Sequence, residues 1–234
     1  MFTHDFKDDL EFLWYKVETK QPFAFARYAD GEIACIQKKR MTGADGWVLD
    51  GTQDMFGSDL DTALYNRHPD YYYGISCPCC DPDGHQFLKS KLIDHWDHVT
   101  YSNLFVNGNH DRALELLGLL PDGAHLIAPT VGENLPFLVR GFYAVDTDVV
   151  AWYTRDAAKI LEDFRAIAKK YTHTLFLFCA GPLSEILIEA MWGANGNNMY
   201  VDLGSVLDLQ LHGRPTRGFL HEDSPNRKKT CSFQ

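Results

Sequence analysis

The sequence predicts an α/β fold with a mostly parallel sheet flanked by helices, in one domain. Two observations carry this. Short apolar runs of strand length alternate with amphipathic helical patterns along the whole chain. One run, Thr174 to Phe178, is apolar almost without interruption, as strands buried on both faces are.

The elements follow in order. Phe6, Leu10, Leu13, Trp14 and Val17 recur at spacings of three and four, so residues 5–19 read as a helix, which Gln21-Pro22 ends. Phe23 to Tyr28 reads as a buried strand. Asp30-Gly31 breaks it, and a helix through Ile33, Ile36 and Gln37 runs to about Arg40. Met41 to Asp54, rich in Gly and Asp, reads as a long loop. Ser58 to Arg67 reads as a helix with Ser58 as N-cap. Tyr71 to Ser76 is a strand, Gly84 to His98 a helix, Thr100 to Val106 a strand and Asn109 to Leu119 a helix. A Pro121-Asp122-Gly123 turn leads to the short strand His125 to Ala128 and a Gly/Pro-interrupted loop at 129–136. Tyr153 to Tyr171 is an amphipathic helix. Thr174 to Phe178 enters the tight turn Cys179-Ala180-Gly181-Pro182 and the helix Leu183 to Trp192. Met199 to Leu203 is the last strand, and Gly204-Ser205 opens a short helical piece. The domain spans 1–220, and 221–234 reads as a polar, mobile tail.

Composition bounds the function. Among 234 residues, 45% are hydrophobic, enough for a large core. The net charge of −10 argues against broad capture of nucleic acid or anionic membrane, while leaving room for an anionic ligand held through a metal ion. No apolar run has the length of a membrane span. Met1 to Leu10 holds three Asp and no apolar stretch, unlike a secretory signal. Three of the six cysteines crowd into positions 77–80, poor geometry for a disulfide framework. A reducing, cytoplasmic setting is expected.

Three strand ends carry candidate chemistry. In Arg27-Tyr28-Ala29-Asp30-Gly31-Glu32 a strand runs out into two acids flanking a glycine. Open α/β sheets bind ligands at such carboxyl ends. Two hard oxygen ligands suit Mg²⁺ or Mn²⁺, and Arg27 could pair with a phosphate bidentately. The same residues equally suit a helix start, with Asp30 as N-cap and Glu32 as a first-turn acid. The turn at Gly181 and Pro182 into a helix could cradle a phosphate, with Ser184 adding a hydroxyl, or be a plain strand-to-helix turn. Asp202, ending the last strand, could hold a ribose hydroxyl, orient a phosphate loop, or cap the next turn.

The first motif resembles the Arg-x-Gly-Asp-Gly-Glu signature of the GT-D glycosyltransferases, a bacterial family. The resemblance extends to the strand, Gly-Pro, helix, strand and Asp-x-Gly unit at 175–205. It implies a Rossmann-like GT-D fold and a hexosyl- or pentosyltransferase that binds a nucleotide-sugar donor, typically a UDP-sugar, through an Asp-x-Glu pair and Mn²⁺ or Mg²⁺. It assigns metal binding to Asp30 and Glu32 and donor phosphate contact to Arg27. More loosely, it assigns donor contact to Gly181 and Ser184, and Pro182 and Asp202 are expected to border the same donor. Ala29 departs from the family's first glycine. The acceptor would be a hydroxyl on a glycan, a glycoprotein or a modified nucleobase. Its proton could pass to Asp50, Asp54, His110, Asp111 or Glu133, all expected in loops or at a helix start. Arg214 or Arg217 could clamp the donor diphosphate or form a surface ion pair.

Two alternatives stay open: another nucleotide-dependent transferase or phosphate-ester hydrolase, and a zinc-stabilised binding module without turnover. The last rests on Cys77, Cys79 and Cys80 with His85, His95 and His98 nearby, although Cys79 and Cys80 are adjacent, unlike the usual spacing of zinc ligands. Trp47 could stack on a sugar or base, or simply cover core. Asn109 could bind substrate or cap a helix.

Overall fold

The computed structural model describes residues 1–43 and 46–233. Its strands are β1 (Phe23–Tyr28), β2 (Met41–Thr42), β3 (Val48–Leu49), β4 (Tyr71–Ile75), β5 (Val99–Tyr101), β6 (Ala124–Ala128), β7 (Val139–Ala144), β8 (Leu175–Phe178) and β9 (Met199–Asp202). Its α-helices are α1 (Asp8–Glu18), α2 (Asp30–Ile36), α3 (Asp54–Ala63), α4 (Pro82–Leu92), α5 (His110–Gly118), α6 (Val149–Lys169), α7 (Leu183–Ala194) and α8 (Asp208–His212). Among the described residues, seven strands form one sheet in the order β5-β4-β1-β9-β8-β6-β7. Every pairing in it is parallel. β2 and β3 make a separate antiparallel hairpin.

β1 shows why the layers form. Its sequence Phe-Ala-Phe-Ala-Arg-Tyr alternates large and small side chains. Phe23 and Phe25 face a core built with α1 and α5. Ala24, Ala26 and Tyr28 face a second core with α2, α3, α4, α6 and α7. The two alanines leave room for α7 to lie close against the sheet. Helices therefore cover both faces, as the continuous apolar strands require.

Several segments differ from the sequence reading. The expected loop at 41–54 contains the β2–β3 hairpin, with Trp47 buried; its Ala44 and Asp45 lie outside the described residues. α3 starts at Asp54, so Ser58 sits inside it and is no N-cap. α6 starts at Val149 because the Asp148 carboxylate accepts from Ala151 N at 3.1 Å. β5 ends at Tyr101, and the chain then turns. β7 was not expected; it is an edge strand of alternating burial.

Of the segment expected to be a polar, mobile tail, 221–230 is mostly exposed, while Cys231 is buried and the Phe233 ring lies 4.3 Å from that of Tyr101. Short 3₁₀ turns at 218–220 and 225–228 carry it past the sheet. Gln234 lies outside the described residues. Among the described residues, no helix is long and apolar enough to cross a membrane.

Candidate active site

Strand order places the site. From β1 the chain steps outward to β4 and β5, and it returns to the other side of β1 through β8 and β9. Connections that diverge around a strand pair open a crevice at the strands' carboxyl ends. A cleft of about 540 Å³ lies there, a ligand-sized volume.

Arg27, near the end of β1, anchors the floor. Its Nε donates to Asp202 Oδ2 at 2.8 Å and its Nη1 to the Ser102 carbonyl at 2.5 Å. Both side chains are largely buried, 13% exposed for Arg27 and 4% for Asp202. The expected bidentate fork toward a phosphate is thus half committed to the protein, and Nη2 is the nitrogen left over. Gly204 explains how the guanidinium fits. It has φ +55°, donates its N–H to Asp202 Oδ1 at 2.9 Å, and a Cβ there would lie 1.6 Å from Arg27 Nη2.

The two motif acids differ. Asp30 is the first residue of α2 and exposed at the rim; the N-cap is Ala29. Glu32 turns back, and its Oε2 accepts from Ala29 N at 2.7 Å, half of a capping box. The expected helix-start role of Glu32 is therefore present, and its second oxygen is left for the cleft it lines. Ala29 has φ −124°, an extended conformation open to any L-residue, so its methyl group brings no backbone strain.

Beneath them lies Glu185 of α7, fully buried. Its Oε1 accepts from Arg27 N at 3.3 Å, while Oε2 has no hydrogen-bond partner among the described residues. Burial, with the nearby charges of Asp202 and Glu32, pushes its carboxyl well above the usual range and favours the neutral form. Burial also pushes Glu32 up to about 7, aided by Asp202 and opposed by the Ala29 N–H and Arg27. Burial works against the Arg27 charge, but Asp202 outweighs it and holds the guanidinium above its ordinary value. Sequence reading gave Glu185 no role. The available signal was an acid beside Ser184 in the largely apolar run Leu183 to Ile188.

The turn 179–182 forms one wall. Gly181 has φ +52°, and Pro182 is the N-cap of α7. Ser184 is fully buried, and its Oγ accepts from Ala180 N at 3.2 Å, so it braces the turn and does not line the cleft. Trp47, 5% exposed, covers both motif loops: Cβ atoms added at Gly31 and Gly181 would lie 3.3 and 3.1 Å from its ring.

Arg217 lines the opposite wall, with Nη1 3.8 Å from Asp208 Oδ2. Asp208 also accepts from the Thr216 hydroxyl. Ser102, Asn103, Asn107 and Asn226 line the cleft too.

Other expected residues lie elsewhere. Arg214 is exposed outside the cleft. Asp50 binds Thr52 within its own turn, Asp54 pairs with Lys38 at 2.8 Å, and Glu133 is exposed beyond the lining. His110 is buried with Nε2 3.1 Å from the Val206 carbonyl, and Asp111 pairs with Arg227 at 2.7 Å. Asn109 stands at the N-cap position of α5, though its side chain bonds no backbone N–H of that helix; its amide donates to the Phe6 and Leu104 carbonyls, and it does not line the cleft.

Asp30 and Glu32 suit a divalent cation in one way. No third acid, histidine or cysteine among the described residues closes a compact group with them. Two carboxylates completed by waters and phosphates are a normal site for Mg²⁺ or Mn²⁺, whereas an all-protein cage is not on offer.

Solved structures share this architecture. One, described as the domain of unknown function 1792 with a distinct glycosyltransferase fold, matches 84% of this chain and 77% of its own at TM-score 0.51 and 11% identity. A second, a selenomethionine form of that domain, matches 96% and 89% at TM-score 0.55 and 12% identity. The chain has this glycosyltransferase fold. A third, described as a new glycosyltransferase from Streptococcus sanguinis, matches 96% and 92% at TM-score 0.53 and 12% identity. No protein-family model and no curated protein matches the sequence.

Proposed function

We propose that the protein is a metal-dependent glycosyltransferase that moves a hexosyl or pentosyl group from a nucleotide sugar, a UDP-sugar by preference, to an acceptor hydroxyl. The observation that carries this is the charge balance of the cleft on this fold. Asp30, Glu32, Asp202 and Asp208 line it against Arg27 and Arg217, and each arginine already faces a carboxylate. A diphosphate entering alone would meet net negative charge. Mg²⁺ or Mn²⁺ between the motif acids and the diphosphate would reverse that balance and neutralise the leaving group.

The chain's own residues divide the remaining work. Asp30 and Glu32 hold the cation. Arg27, fixed by Asp202 and the Ser102 carbonyl, turns Nη2 toward the leaving diphosphate. The 179–182 turn and Trp47 wall the donor, and Arg217 with Asn107 and Asn226 borders the acceptor space. The acceptor is a glycan, a glycoprotein or a modified nucleobase. We place its action in the cytoplasm, because the crowding of three cysteines at positions 77–80 suits a reducing setting better than a disulfide framework.

The test is release of UDP from a panel of UDP-sugars, with and without Mn²⁺ or Mg²⁺, in wild type, Asp30→Ala and Glu32→Ala. Turnover should require the cation and fall about 100-fold or more in either variant. Cation-independent turnover would overturn the metal role. Release of UMP or inorganic phosphate in place of UDP would favour a phosphate-ester hydrolase. Unchanged ligand binding with a lowered melting temperature in the double variant would reduce the motif to a helix start.

A further inference from the structure

We infer that Cys77, Cys79, Cys80 and Cys231 form a tetrathiolate zinc site that clips the C-terminal segment onto the sheet. The four Sγ atoms lie within 4.8 Å of one another. Cys77 and Cys79 sulfurs are 3.0 Å apart, and Cys79 and Cys80 sulfurs 3.9 Å. A tetrahedron with Zn–S bonds of about 2.3 Å has edges of roughly 3.8 Å, within that spread. A polynuclear iron–sulfur cluster would sit between its thiolates and hold them further apart.

The backbone on both sides is built for this convergence. Cys80 N and Asp81 N both donate to the Cys77 carbonyl at 3.0 Å, folding Cys77-Pro78-Cys79-Cys80 into one turn. That turn brings in the adjacent pair, which linear spacing had counted against a metal. The fourth ligand comes from the far end of the chain. Gly108 N donates to the Lys229 carbonyl at 3.0 Å, and Phe233 packs 5.2 Å from the His85 ring, so both flanks of Cys231 are fixed. The histidines take no part: His85 and His95 are bound to the Ser76 and Tyr71 carbonyls.

The surroundings suit thiolates. Zn²⁺ displaces four thiol protons and leaves a site of net charge −2. Asn103 Nδ2 lies 3.6 Å from Cys80 Sγ and 3.8 Å from Cys231 Sγ, and the Lys229 ammonium sits beside Cys80. Donors of this kind orient and stabilise metal-bound sulfur. Cys77 and Cys231 are buried, while Cys79 and Cys80 are exposed, giving the ion a way in. Asn103 and Asn226 also line the cleft, so the clip holds a wall of the active site.

Metal analysis of the full chain, purified under reducing conditions with zinc supplied, tests this independently of any turnover. About one tightly held zinc per chain is expected. It should fall at least tenfold in Cys231→Ser and persist in Cys179→Ser, whose sulfur lies outside the group. Cobalt substituted into the wild type should show the visible bands of a tetrahedral thiolate site. Trypsin should cut at Arg227 to Lys229 only after the metal is stripped, a readout that survives if Cys231→Ser fails to fold. Less than a tenth of a zinc per chain, a Cys77–Cys231 disulfide in the unreduced peptide map, or zinc retained in Cys231→Ser would overturn the inference.

Discussion

Arg27 is gripped from three sides, and its neighbours carry unequal weight. Asp202 is its charged partner in a buried pair, so Asp202→Asn strands a cation and should cost about 3–5 kcal/mol in urea unfolding. Glu185 accepts its hydrogen bond from the backbone N–H of Arg27, and its burial favours the neutral form. The amide of Glu185→Gln mimics that neutral acid, and its cost should stay within about 1 kcal/mol. Equal costs for the two variants would contradict this division. Arg27, Asp30, Glu32 and Asp202 were legible because a polar residue ending an apolar strand stands out. Glu185 was not, since its partner lies 158 positions away and only the sheet brings them together. The four cysteines repeat that lesson, with Cys231 the ligand that spacing alone could not supply.

Among the elements, the β2–β3 hairpin has the largest effect for its size. It inserts Trp47 over Gly31 and Gly181, so one indole supports two loops from opposite ends of the sequence. Trp47→Ala should destabilise the fold by about 3–5 kcal/mol and weaken donor binding, measured by urea unfolding and by nucleotide thermal shift. A loss of stability with donor affinity intact would confine Trp47 to packing. β1, β8 and β9 could be read from sequence because both their faces are apolar. β7 escaped because an edge strand alternates, and Gly141 breaks its pattern. That glycine has a packing reason: a Cβ there would lie 2.5 Å from His125 Nδ1. The hairpin escaped because two-residue strands leave no periodicity, and its Gly and Asp content reads as loop.

At the scale of the molecule, stability depends on pH through buried groups of opposite sign. Burial holds His110 below its ordinary 6.5, against the opposing pull of the Val206 carbonyl and Asp111, with Arg227 nearby. As pH falls through about 6.5, the unfolded chain takes up a proton there and the native chain does not, so this contribution is present above 6.5 and lost below it. Glu185 and Glu189, both raised, act in the other direction. The difference between wild type and His110→Phe isolates the histidine. The variant's deficit in urea unfolding should shrink between pH 8 and pH 5.5, and a constant deficit would mean that His110 titrates as in the unfolded chain. The parallel sheet has a further consequence. Its centre is β1 against β9, with Phe23 in register with Met199. A nascent chain emerging at about 5–20 residues per second must therefore keep β1 waiting roughly 10–35 s for its partner. During translation the Phe23 edge is open to chaperones until β9 emerges, and the cleft that Arg27 and Asp202 line is assembled only then.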